Sequence, residues 1–144
     1  MTLSKPEILK LRPGDALPKV VRQLTQDKVN RYAEAVGDFN PIHVDETFAA
    51  HTAFGGTVAH GMLILAYVSE MMTLAFGESW FSTGKLSVRF KGAAHSTDTI
   101  TVNGKVNSVE TESDGVKFTC QVECCSQRQE TVIMGKTEVK VTPE

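Results

Sequence analysis

The chain has 144 residues and a formal net charge of −2, with 41% hydrophobic and 22% charged residues. This length and composition are typical of one globular domain with one core, and they exclude a low-complexity or fibrous chain. The balanced charge gives no electrostatic attraction to nucleic acid or to an anionic membrane. No apolar run reaches the roughly 18–20 residues that span a bilayer. We therefore expect neither nucleic acid nor a membrane as a partner.

The cysteine usage indicates a reducing compartment. Cys120, Cys124 and Cys125 are an odd number of cysteines in a chain that can form a core without disulfides. The first ten residues contain no apolar stretch of the kind found in a secretory signal. These features favour a cytoplasmic location. The cysteines also lack a second ligand pair at zinc-like spacing, so we expect no metal site.

The N-terminal quarter predicts an arm, a strand and a helix, in that order. Residues 1–15 predict an irregular arm, and residues 16–24 predict a short strand. Thr25 is suited to cap a helix, and apolar residues then recur at helical spacing. Gly37 is suited to end that helix, because glycine adopts the left-handed conformation that often follows a last helical turn.

The middle of the chain predicts a loop, a short helical turn and one long helix. Residues 38–43 are interpreted as a loop, because a residue that precedes a proline is disfavoured in the helical region. Asp45 can cap the short turn that follows. The long helix runs from Gly61 to Phe76 and is apolar on every side, which predicts burial on all sides.

The second half of the chain predicts strands. Apolar and polar residues alternate over much of residues 85–141, and turn sequences occur at residues 113–115 and 126–129. Alternation with a period of two is typical of a sheet with one face on a core and the other in solvent. We predict an α+β fold in which a curved antiparallel sheet wraps around the long helix. A second copy of the chain could extend the sheet and complete the burial of the helix.

The candidate chemistry lies in the motif Asp38-x-Asn40-Pro41-x-His43. In a loop restricted by the proline, the carboxylate and the imidazole can converge on one water, remove a proton from it and deliver a proton elsewhere. Asn40 can orient either group. The alternative interpretation is that Asp38 only caps a turn and that His43 is a buried histidine with satisfied hydrogen bonds.

Two further positions on the long helix are candidates. The first N–H groups of a helix have no internal acceptor, and a glycine at position 61 lets a substrate oxygen approach them closely. The alternative for Gly61 is close packing of the helix on the sheet. Ser69 is a lone hydroxyl on the same side of the helix, and its alternative is a hydrogen bond to the preceding turn.

These residues resemble a known family. The run from Tyr32 to Ala49 resembles the hydratase-2 motif of the MaoC-like (R)-specific enoyl-CoA hydratases, and the run from Ala59 to Leu63 resembles the second signature of that family. The resemblance extends roughly over residues 13–141. It implies a single hot-dog domain over residues 1–144, in which an antiparallel sheet wraps around a long central helix, and it implies a homodimer.

The resemblance also implies roles for particular residues. Asp38 and His43 would form the catalytic dyad that activates water, with support from Asn40. The backbone N–H of Gly61 would bind the thioester oxygen. The segment 77–84 would shape the acyl pocket. The side chains implied to line the substrate site are those of His60, Met62 and Ser69.

The implied activity is the reversible hydration of a trans-2-enoyl thioester of CoA or acyl carrier protein to the (R)-3-hydroxyacyl thioester. This reaction needs no metal and no redox cofactor. Two alternatives stay open: a hot-dog acyl-CoA thioesterase, and a non-catalytic acyl-thioester-binding subunit of a dehydratase heterodimer. The motif with both Asp38 and His43 argues against each alternative, because neither function requires this pair.

Overall fold

The computed structural model describes residues 2–143, which form an antiparallel sheet and several helices. The helices are α1 (Lys5–Leu9), α2 (Gln26–Val36), α3 (Pro41–Val44), α4 (Glu46–Ala50), α5 (Gly61–Phe76) and α6 (Glu78–Thr83). The strands are β1 (Val20–Gln23), β2 (Lys85–Phe90), β3 (Thr99–Glu112), β4 (Gly115–Cys125) and β5 (Thr131–Val141).

The sheet has the strand order β1-β3-β4-β5-β2, and each neighbouring pair is antiparallel. Helix α5 packs against β1, β3, β4 and β5. The alternation predicted for β4 is present: the residues that face the core and are buried are Phe118, Cys120, Val122 and Cys124. The predicted α+β fold, a sheet around a central helix, is confirmed.

Helix α5 has the predicted bounds but not the predicted burial. Ile64, Val68 and Met71 lie on the face that packs on the sheet and are almost completely buried. On another face Met62 is 60% exposed and Ala66 is also exposed. Burial on all sides is therefore wrong for the single chain, because one sheet covers only part of the helix circumference. The open face is apolar.

Strand β2 lies at one edge of the sheet and is more exposed than its alternation predicted. Its inward residues Leu86 and Phe90 are 39% and 51% exposed. The strand pairs with β5 on one side only, so the backbone groups on its other side face outward. An edge strand with exposed apolar side chains is a surface suited to pairing with another chain.

The N-terminal arm is more ordered than predicted. It contains α1, which begins with a reciprocal pair of hydrogen bonds: the Glu7 N–H donates to Ser4 Oγ, and the Ser4 N–H donates to the Glu7 carboxylate. This capping box stabilises the start of a short helix. Further along, Thr25 and Asp45 cap α2 and α4 as predicted. No helix within residues 2–143 is long and apolar enough to cross a membrane.

Candidate active site

The segment that carries the predicted dyad contains a short helix rather than a loop alone. Helix α2 ends at Gly37, whose φ of 74° is the left-handed conformation expected there. After the turn, Asn40 Oδ1 accepts a hydrogen bond from the N–H of Ile42 at 3.1 Å, and Pro41 occupies the first turn of α3. Asparagine before a proline that begins a helix is a favourable start. The prediction of loop throughout residues 38–43 was therefore wrong.

This short helix brings the two dyad residues together. Asp38 Oδ2 lies 3.9 Å from His43 Nε2. That separation is too long for a direct hydrogen bond, but one water can contact both groups across it. The His43 side chain is 11% exposed and the Asp38 side chain 52% exposed, so the carboxylate faces outward and the imidazole lies behind it. The arrangement can activate a water that enters from the solvent side.

The tautomer of His43 is determined by a backbone carbonyl. Nδ1 of His43 lies 2.8 Å from the oxygen of Val58. A carbonyl oxygen only accepts hydrogen bonds, so Nδ1 carries the proton in the neutral ring and Nε2 carries the lone pair. The N–H of Val58 in turn donates to the Ile42 carbonyl at 3.0 Å. The lone pair of His43 therefore faces Asp38, which is the position required of a general base.

A second set of hydrogen bonds holds the backbone of His43. Nε2 of Gln26 donates to the His43 carbonyl at 2.8 Å, and Oε1 of Gln26 lies 2.7 Å from the hydroxyl of Thr57. The same hydroxyl lies 3.0 Å from Oε2 of Glu46. Sequence reasoning missed these three residues. A polar residue in the first turn of a helix usually faces solvent, so the sequence contained no signal for this network.

Asn40 supports the dyad through its cap and its backbone. Its side-chain oxygen is used to cap α3, and its N–H donates to Asp38 Oδ1 at 3.2 Å. Asn40 therefore holds the backbone between Asp38 and His43, which agrees with the supporting position expected for it. The structure places its amide oxygen on the backbone of Ile42 rather than beside the reacting groups.

The start of α5 lies next to the dyad. His60, the residue before the helix, stacks on His43 with ring centroids 3.8 Å apart. Gly61 follows, and within residues 2–143 its N–H donates to no protein acceptor. A Cβ at this position would lie 3.0 Å from the Phe90 ring. The structure thus supports the packing explanation for the glycine, and it leaves the N–H available for a ligand oxygen. Met62 follows and is largely exposed.

His60 is not where a substrate-lining residue would be. It is 3% exposed, and its Nε2 lies 3.0 Å from the carbonyl oxygen of Asp38. The ring lies behind His43 and the start of α5, where it contacts protein groups. The prediction that His60 lines the substrate site is therefore not supported by its position in the single chain.

Ser69 makes a hydrogen bond that the sequence did not reveal. Its hydroxyl accepts from Nε1 of Trp80 at 2.9 Å, which ties α5 to α6. The expected alternative, a hydroxyl bonded to the preceding turn, is not the contact found. Ser69 lies eight residues beyond Gly61, or roughly 12 Å along the helix. The Ser69 hydroxyl therefore lies at the contact between α5 and α6, and α6 belongs to the segment 77–84.

One cluster has the composition of a metal site. Ligand atoms of Asp38, His43 and His60 lie within 4.8 Å of one another. The two imidazole planes are stacked at 24° with ring centroids 3.8 Å apart, so their in-plane lone pairs lie in two separate, nearly parallel planes, which disfavours a shared ion. The geometry therefore favours the hydrogen-bonding roles described above.

The cysteines are also poor metal ligands. Burial raises the pKa of the Cys120 thiol to about 11 and that of Cys124 to about 12, which disfavours the thiolate form that binds metals.

The fold and the site define the class of protein. A sheet wrapped around a central helix, with a carboxylate and an imidazole beside the start of that helix, is the arrangement expected for a hot-dog hydratase. Residues 12–127 match the MaoC-like domain family. This match covers most of the chain, and the chain belongs to that family.

Individual relatives agree with this assignment. The 3-hydroxybutyryl-CoA dehydratase of Methylorubrum extorquens is 29% identical over 124 residues, which are 83% of this chain and 74% of that protein. The (R)-specific enoyl-CoA hydratase of Rhodospirillum rubrum is 26% identical over 122 residues, 85% of this chain and 83% of that protein. The unliganded R-hydratase PhaJ1 from Pseudomonas aeruginosa aligns with a TM-score of 0.81 over 95% of this chain and 86% of that chain. At 23% identity that likeness is one of fold.

Proposed function

We propose that this protein catalyses the reversible addition of water to a trans-2-enoyl thioester, giving the (R)-3-hydroxyacyl thioester. The observation that carries the proposal is the Asp38–His43 pair, separated by 3.9 Å, with the lone pair of His43 Nε2 directed to the carboxylate. The names of the relatives, a dehydratase and an (R)-specific hydratase of CoA thioesters, support it.

The chemistry follows from the positions of these groups. A water held between Asp38 and His43 attacks C3 of the enoyl group as the dyad removes one of its protons. The electrons of the double bond move to the thioester oxygen, which the free N–H of Gly61 at the start of α5 stabilises. The dyad then returns a proton to C2. One water is added across the double bond, and dehydration follows the same steps in reverse.

The proposal extends to the assembly and the compartment. A homodimer accounts for the open apolar face of α5 around Met62 and for the exposed edge of β2. The three cysteines are unpaired, which suits a reducing cytoplasm. The acyl group is carried by CoA or by acyl carrier protein. The protein works without a metal or a redox cofactor, because each step is a proton transfer or an addition of water.

The test is an assay of the purified protein alone with a series of trans-2-enoyl-CoA substrates, followed by chiral analysis of the product. We expect loss of the conjugated enoyl absorbance and formation of the (R)-3-hydroxyacyl thioester without release of free CoA. Release of free CoA would instead identify a thioesterase. No turnover by the folded protein would favour a non-catalytic acyl-thioester-binding subunit.

A further inference from the structure

The His60 ring lies between two other rings, stacked on that of His43 and tilted against that of Tyr32. Its imidazole is 4.8 Å from the ring of Tyr32 on α2 and 3.8 Å from the ring of His43 on α3, measured between centroids. The side chain is 97% buried, since its residue is only 3% exposed. The His60 ring therefore lies between α2 and the catalytic imidazole, at the N-cap of α5.

The hydrogen bond of His60 determines its tautomer. Nε2 lies 3.0 Å from the carbonyl oxygen of Asp38, which can only accept, so Nε2 is the protonated nitrogen. Nδ1 carries the lone pair. It is buried, and it has no hydrogen-bond partner among the residues that the structure describes. A buried polar atom without a partner is costly. The unpaired Nδ1 calls for an explanation beyond simple packing, since an apolar ring would fill the same space without that cost.

We propose that His60 is a positioning residue that holds both members of the dyad. Its N–H fixes the main chain of Asp38, and its ring supports the face of the His43 imidazole. An apolar side chain could not donate a hydrogen bond to the Asp38 carbonyl, and an amide side chain has no ring to support the His43 imidazole. The inference rests on the proposed hydration reaction for its effect on rate. The contact between His60 and His43 can be tested without any assumption about the reaction.

Two substitutions separate the two contacts. His60→Phe keeps a ring against His43 but has no donor for the Asp38 carbonyl. His60→Gln keeps an N–H donor but loses the ring. His51 provides the matched control, because its Nδ1 lies 2.7 Å from the carbonyl oxygen of Thr47 but the residue is exposed at the C-cap of α4. His51→Phe and His51→Gln remove the same kind of bond away from the dyad.

We expect both His60 variants to lower kcat about tenfold, the scale of one lost neutral hydrogen bond, with KM changed less than about twofold. In a His43→Gln background each His60 substitution should lower kcat less than about twofold further, because His60 acts through a dyad that the loss of His43 has already disabled. The His51 variants should match the wild type. A rise in KM with unchanged kcat would mean that His60 contacts substrate, and it would overturn the proposal. If the His60 substitutions lowered kcat equally in the wild-type and His43→Gln backgrounds, that result would also overturn the proposal.

Unfolding measurements make the inference independent of the reaction. Urea denaturation of the wild type, His60→Gln, His43→Gln and the double variant should show that the two single losses of stability sum to more than the loss in the double variant, because each single substitution removes the contact between the two rings. Additive losses would overturn the inference even if the protein is an active hydratase. A wild type without hydratase activity would refute the proposed function alone. If His60→Gln does not fold, the same cycle is measured with the shorter amide of His60→Asn.

Discussion

The carbonyl oxygen of Val58 lies 2.8 Å from Nδ1 of His43, and this contact determines which ring nitrogen can act as a base. The segment around Val58 is itself tied to the sheet side of the protein, since Val58 forms an isolated bridge with His95 and the Ala59 N–H donates to the Ala94 carbonyl at 2.8 Å. The chemistry of His43 thus depends on a main-chain group from a distant part of the chain.

Removing either dyad group should nearly abolish hydration. Asp38→Asn keeps the shape of the side chain but cannot take a proton from water, and His43→Gln lacks the titrating ring. General acid–base groups typically contribute about 10²–10⁴-fold, so each change should lower kcat by about that factor. The double variant should be little worse than the poorer single variant, because the two groups act on one water.

The control for the dyad variants is their folded state. Asp38 is half exposed, so Asp38→Asn should melt like the wild type. His43 is buried in α3, so His43→Gln should lose some stability yet stay folded at assay temperature. Circular dichroism and melting curves check this. Folded variants with wild-type turnover would contradict the mechanism, and unfolding of both would return Asp38 and His43 to purely structural roles.

Ser69→Ala should have a smaller effect than either dyad substitution. The change removes an uncharged hydroxyl group and the hydrogen bond that this group accepts from Trp80. We therefore expect kcat/KM to fall about tenfold or less. Trp80→Phe is the matched variant, because it breaks the same bond from the other side. If the hydroxyl acts only on Trp80, the double variant should be no worse than either single one. A loss as large as that of Asp38→Asn would show that Ser69 takes part in the chemistry.

How much of this site the sequence predicted depends on the kind of contact. The bounds of α5 were predicted correctly, because an apolar run lies between Gly61 and Gly77. The proximity of Asp38 and His43 was predicted because both side chains lie in one short motif, whereas their catalytic role stays a prediction. The partners of His43 were not predictable, because Val58 contributes a backbone carbonyl, which every residue type has. The bond of Ser69 to α6 likewise depends on how two helices pack.

The other differences between prediction and structure have two physical causes, a helix cap near the N-terminus and the limited reach of one sheet. Ser4 and Glu7 have the spacing of a capping box, and Pro6 lies in the first turn, where proline is compatible with a helix, so both features favour α1. The exposure of Leu86 and Met62 differs from the prediction for another reason. Their apolar character was interpreted as burial within one chain, whereas the sheet of one chain does not reach them.

We expect the protein to be a dimer in solution. The open face of α5 and the edge of β2 present apolar side chains that a second copy can cover. Light scattering at micromolar concentration should give about twice the chain mass. Met62→Glu should weaken the dimer, because it places a charge on that face, whereas Val36→Glu on the exposed side of α2 should not. A stable wild-type monomer at micromolar concentration would contradict this expectation.

Chelation should not affect turnover. EDTA treatment is expected to leave kcat unchanged, because the stacked rings of His43 and His60 do not converge on an ion. Replacing Cys120, Cys124 and Cys125 with alanine should also leave the chemistry intact in whatever fraction stays folded. The measurement is hydratase activity before and after dialysis against the chelator. Loss of activity that zinc restores would overturn the metal-free mechanism.

The ion pair of Asp98 with Arg128 should contribute to stability in a pH-dependent way. Burial raises the pKa of the Asp98 carboxyl, but hydrogen bonds from Arg128 and Gln127 outweigh it and hold the pKa below its usual range. Arg128→Met should therefore lower the free energy of unfolding at pH 7 by about 2 kcal/mol, since it leaves a buried carboxylate without its charged partner. Arg31→Met, at an exposed position of α2, is the control.

The sign of this pH dependence follows from linkage. Because the pKa of Asp98 is lower in the folded state, its stabilisation is complete above the unfolded value of about 4 and is lost as the pH falls through the folded value. The difference between wild type and Arg128→Met should therefore shrink in acid, as urea unfolding from pH 7 downward can measure. An equal difference at every pH would show that Arg128 acts through packing instead.

The order of strands along the chain has a consequence for how the molecule opens. Strands β3, β4 and β5 are consecutive in sequence and adjacent in the sheet, so the contacts between them are local in sequence. All three strands are also long. The segment with the dyad instead forms a short bridge, from Val58 to His95, with the connection between β2 and β3. Amide hydrogens of the three long strands should thus exchange only on global unfolding, whereas those of residues 38–60 exchange through smaller openings. The protein should then lose its catalytic activity before its sheet unfolds.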